Sequence, residues 1–116
     1  MIVNTTKWLE EFTEQVIKIK SVYEYTQITT AVLDKLVECE QEYNNAETEM
    51  IVIKALTLQE NDKLSSEKLE LTCMTNEKYL AARKKMKQAD IEIALLKRAL
   101  DVLRSFKDIY IAELKN

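Results

Sequence analysis

Not one of the 116 residues is glycine or proline. Without glycine, no residue takes a positive φ cheaply, and without proline nothing breaks a helix outright. The favoured two-residue hairpin turns need positive φ, so a sheet linked by tight turns is disfavoured. What remains is a chain of long helices joined by polar links. Hydrophobic residues make up 47% and charged residues 32%, the balance of an all-α soluble protein. At this length a single helical domain is expected.

No apolar run exceeds four residues, as in Met50–Ile53. A membrane span needs about 20, so no membrane association is expected. The opening "MIVNTTKWLEEF" has neither a basic leader nor a long apolar core, so no signal peptide is expected. Cys39 and Cys73 are too few for a disulfide framework or a zinc site, and a buried reduced thiol is the plain reading of Cys39. Both thiols fit a cytoplasmic setting, in a bacterium or a phage-infected cell.

Histidine is absent as well. That removes the Ser-His and Cys-His nucleophile pairs, histidine-ligated metals and the histidine general base. Glu38, Glu42 and Glu49 share a helix face, but a carboxylate-bridged di-metal bundle also needs Glu-x-x-His on its helices. That row is read as a solvated face or as the partner of a basic row. No enzyme activity, catalytic residue, metal or cofactor is expected.

The apolar periodicity sets out the helices. Val32, Leu36, Cys39, Tyr43, Ala46, Met50 and Ile53 follow one another at alternating four and three, a heptad seam that predicts a helix over about 30–60. Thr29 or Thr30 is the expected N-cap. A second seam runs Tyr79, Ala82, Met86, Ala89, Ile93, Leu96, Leu100 and Leu103, then Tyr110 and Leu114, with Lys107 as its one break. It predicts a helix over about 76–114, capped by Thr75 or Asn76. Residues 61–75 form a polar connection in which Leu64, Leu69 and Leu71 suggest a short helix. The simplest packing is a long antiparallel hairpin. A further helix over about 5–25 places Trp8, Phe12, Val16, Ile19 and Val22 at helical spacing. Its break from the next helix is expected in "YTQITT", where β-branched residues weaken a helix, although Tyr25 and Thr29 extend the heptad backward.

Both long helices carry more apolar surface than a hairpin uses. Leu95, Ala99, Val102, Phe106 and Ile109 form an extra seam beside the first, and Met50 through Leu58 is apolar almost all round. A helix apolar on more than one side has to be covered on more than one side. The N-terminal helix is long enough for only part of this surface, so self-association through the extra seam is expected.

Charge is divided along the chain. Residues 1–75 hold 7 basic and 14 acidic residues, whereas residues 76–116 hold 10 basic and 6 acidic. The basic strip comprises Lys78, Arg83, Lys84, Lys85, Lys87, Lys97 and Arg98. Two roles compete for it. It could pair with the acidic helix, as flanking charges do in coiled coils, or neutralise the phosphates of a nucleic acid. A strip repeated around an oligomer would make a continuous track.

The stretches "YNNAETEMIVIKALTL", "KLSSEKLELT" and "YLAARKKMKQADIEIALLKRALDVLRSFKDIYIAEL", over about residues 43–114, resemble the phage UvsY-type recombination mediators. The resemblance implies an all-helical, ring-forming protein that binds single-stranded DNA and helps a recombinase displace single-strand-binding protein. By position in the pattern, it assigns DNA contact to Lys54, Arg83, Lys84, Lys85 and Lys87. The expected function is therefore a non-enzymatic accessory of DNA recombination. The alternatives are a helical adaptor or inhibitor that docks a protein on its apolar seam, and a structural coiled-coil oligomer.

Overall fold

A computed structural model describes residues 5–115; residues 1–4, the start of the segment read above for a leader, lie outside this range. The fold is all-α, with four helices in the order α1 (Thr5–Ile17), α2 (Val22–Glu60), α3 (Ser66–Cys73) and α4 (Glu77–Leu114). The long helices α2 and α4 pair antiparallel. Among the described residues none has positive φ, so all three links are built without the geometry that glycine supplies.

Side-chain caps do that work instead. The Ser21 Oγ accepts from the Glu24 amide at 3.1 Å and starts α2. The Ser65 hydroxyl accepts from the Lys68 amide at 3.3 Å and starts α3. Asn76 Oδ1 accepts from the amides of Lys78 (2.9 Å) and Tyr79 (3.1 Å) at the start of α4. Of the two caps expected for this last helix, Asn76 is the one used.

The break between the first two helices differs from expectation. It falls at residues 18–21, and "YTQITT" lies wholly inside α2. The hydroxyls of Thr26 and Thr30 donate to the carbonyls four residues back, at 3.1 and 2.9 Å, so these residues satisfy themselves within the helix. Burial of Tyr25 and Val32 then holds this turn against its neighbours. Thr29 and Thr30 are therefore interior residues, and the cap is Ser21. The link itself is a tight turn, with the Lys18 and Ile19 amides donating to Gln15 and Val16, pinned by buried Ile19.

The described residues pack as two compact units. The first holds α1, α2 through Glu38, and α4 from Ile91. Thr5 borders the same small cavity as Ile91, Ala94, Leu95 and Arg98, and the Tyr110 hydroxyl donates to the Lys20 carbonyl. Thus α1 runs parallel to this part of α4 and antiparallel to α2. Tyr25 and Tyr110 pack with ring centroids 5.8 Å apart, and burial, with Tyr110 and Glu113 nearby, pushes the Tyr25 phenol above its ordinary pKa. The core of this unit includes Val16, Val32, Leu95, Leu96, Ala99 and Leu103.

The second unit spans Cys39–Asp90. Its α2 seam alternates buried Cys39, Ala46 and Ile53 with half-buried Tyr43 and Met50. The α4 seam answers with buried Tyr79, Ala82 and Ala89 and half-buried Met86. Small side chains at three of these positions allow close approach of the helix axes. Ile53, Cys73 and Tyr79 form the end of this core, with Met50, Leu69 and Met74 packed around them.

Candidate nucleic-acid interface

The basic strip is oriented by the core beneath it. Asn76 fixes the start of α4, and Tyr79, Ala82, Met86 and Ala89 turn one face of the helix inward. At 100° per residue, Lys84 falls opposite that seam, with Lys87 beside it. Lys78 and Lys85, seven apart, lie along one flank. All four are exposed. Among the described residues, no carboxylate lies within ion-pairing distance of any of them.

Two of the expected contact residues are already engaged. The Lys54 ammonium lies 3.1 Å from a Glu70 carboxylate oxygen and 5.9 Å from the centroid of the Tyr79 ring. The Tyr79 hydroxyl donates to the other Glu70 oxygen at 2.8 Å. Arg83 is half-buried and directs Nη1 at the Met74 sulfur, 3.0 Å away. These contacts clamp α3 against α2 and α4. Each group feels the others. The hydrogen bond to Glu70 raises the Lys54 pKa. Hydrogen bonds from Tyr79 and then Lys54 lower that of Glu70. Burial first, and the bond to Glu70 second, raise that of Tyr79.

Lys97 and Arg98 are exposed but belong to the first unit. The strip read as one run along the sequence therefore divides, and the four lysines of the second unit form a cluster by themselves. The extra seam divides too: Leu95 and Ala99 are buried within the first unit, Val102 and Phe106 are half-buried, and Ile109 is 53% exposed. On the α2 side of the second unit, Glu40, Glu42, Glu47 and Glu49 are exposed. Among the described residues none of these four has a basic partner within ion-pairing distance.

The clamp of Lys54, Glu70 and Tyr79 is the arrangement that sequence reasoning missed. Heptad spacing placed Tyr79 in the seam, but Glu70 reaches it only through the orientation of the short α3. Compared with known proteins, the chain matches no family model, no curated protein and no solved structure. The likeness to UvsY-type mediators thus rests on the residues quoted above.

Proposed function

We propose that this chain is a non-enzymatic single-stranded-DNA-binding accessory of phage-type recombination, holding the strand on the outward surface of α4. The observation that carries this reading is the set of four exposed lysines, Lys78, Lys84, Lys85 and Lys87, none of which has a carboxylate within ion-pairing distance among the described residues. A cation already held by a carboxylate brings little net charge to a phosphate, and these four are not so held. Each phosphate neutralised on a single strand releases about 0.7 of a counterion, so four contacts give a salt slope of roughly −3 on logarithmic axes. The recombinase and the single-strand-binding protein enter as partners only through the family resemblance, as does the cytoplasm of an infected cell.

The test is a fluorescence titration of labelled single-stranded DNA at low and moderate salt. The expected result is binding that weakens steeply with salt and is lost in Lys84→Glu/Lys87→Glu, with helicity by circular dichroism unchanged. Absence of binding at low salt, or binding indifferent to the double substitution, refutes the reading.

A further inference from the structure

The second unit carries two charged faces of opposite sign that point away from each other. On α2, the side opposite the core exposes Ile51, Val52, Ala55, Leu56 and Leu58 as one stripe, with Ile51 58% and Leu56 54% exposed. The turns leading into it place Glu40 and Glu47 along one edge and Glu42 and Glu49 along the other, each pair seven apart. On α4, the side opposite the core exposes Leu80, then Lys84 and Lys87. Within the unit these charges cannot meet, because the core lies between them.

We propose that the acid-edged stripe of α2 is an interface for a second copy of this chain, which docks on it with the outward face of α4. Charge complementarity selects the occupant. A symmetric α2-to-α2 contact would set Glu47 and Glu49 near like charges, which disfavours it. An antiparallel approach of α4 lays the second copy's Leu80 on the stripe while its Lys84 and Lys87 run beside Glu49, Glu47 and Glu42. The contact is head-to-tail, since the two surfaces differ, so copies add until a ring closes or continue as a filament. This surface is distinct from the Leu95–Ile109 seam. It shares Lys84 and Lys87 with the proposed DNA site, so bound single strands and self-association compete for them.

Sedimentation velocity of the full chain without nucleic acid tests the interface independently of the DNA reading. The wild type is expected to gain mass with concentration, with a dissociation constant that rises about tenfold between roughly 50 and 300 mM salt. Glu47→Lys/Glu49→Lys alone and Lys84→Glu/Lys87→Glu alone are each expected to sediment as monomers with unchanged helicity. Mixed in equal amounts, they are expected to associate again, because each supplies the sign the other has lost. A wild type that stays monomeric at all concentrations overturns the proposal. So does a Lys84→Glu/Lys87→Glu variant that still self-associates, or a mixture that stays monomeric. Ile51→Ser/Leu56→Ser, which keeps every charge, is expected to weaken association as well, and full association in that variant also counts against the stripe.

Discussion

The two units handle the same problem differently. Each contains a long helix that is apolar on more sides than its hairpin partner can cover. In the first unit, α1 packs beside α4, and Leu95 and Ala99 of the extra seam are buried. In the second, the additional helix α3 closes the end of the core around Cys73 and Tyr79, while Ile51, Val52 and Leu56 of α2 stay exposed. Surplus apolar surface is thus covered in part where α1 lies alongside, with Leu33, Val37, Ile91 and Ile109 of that unit still exposed, and left outward on α2 where the third element is short. The outward surface is where binding is to be sought.

Substitutions can break this contrast at its core positions first. Leu103→Ala in the first unit, where Leu103 is 2% exposed, is expected to cost about 2–5 kcal/mol by urea unfolding, because a buried leucine is replaced by a cavity. Tyr79→Ala in the second is expected to cost about as much, roughly 3–5 kcal/mol by analogy with other large aromatics. Tyr79→Phe, which keeps the ring and loses the bond to Glu70, is expected to cost much less. Val16→Ala weakens the seat of α1, with an expected loss of about 1.5–3 kcal/mol and faster amide exchange in α1.

The clamp gives a smaller effect with a defined pH window. Glu70 has its carboxyl pKa lowered from 4.5 in the folded state. Its contribution is therefore present above the unfolded value and lost as pH falls through the folded one. Lys54 is raised from 10.5 and Tyr79 from 10.0, so their contributions hold below those values and fade as pH rises past the folded ones. Glu70→Gln is expected to unfold at lower urea than the wild type at pH 7, with a smaller difference in acid, once the pH has fallen through the lowered folded value. An equal gap at pH 7 and in acid would remove the clamp from the account.

Much of this was legible in the sequence, for a physical reason. Alternation at four and three forces a stripe, and the absence of glycine and proline leaves nothing to interrupt it. Every α2 seam residue from Val32 to Ile53 is buried or half-buried. The end of the α4 seam is looser, with Leu114 64% exposed. The break at residues 18–21 was hidden because Ile19 keeps helical spacing through it, and the Ser21 cap was the one local signal. The threonines of "YTQITT" misled because propensity is a weak prior once a hydroxyl bonds back to its own helix. The position of α1 beside Leu95 and the reach of Glu70 to Tyr79 depend on tertiary placement, which periodicity does not encode. For the candidate site, clustering of cations was visible in the sequence, whereas their lack of carboxylate partners among the described residues was not.

The inner and outer faces of α2 give the most direct measurement. Ile53 is 8% exposed and Ile51 is 58% exposed, two residues apart on one helix. Urea unfolding of Ile53→Ala and Ile51→Ala, at protein concentrations too low for association, compares them. The expected loss is about 2–5 kcal/mol for Ile53→Ala and within about 0.5 kcal/mol for Ile51→Ala. Comparable losses at the two positions would mean that the outer stripe is core, and would contradict an outward face reserved for binding.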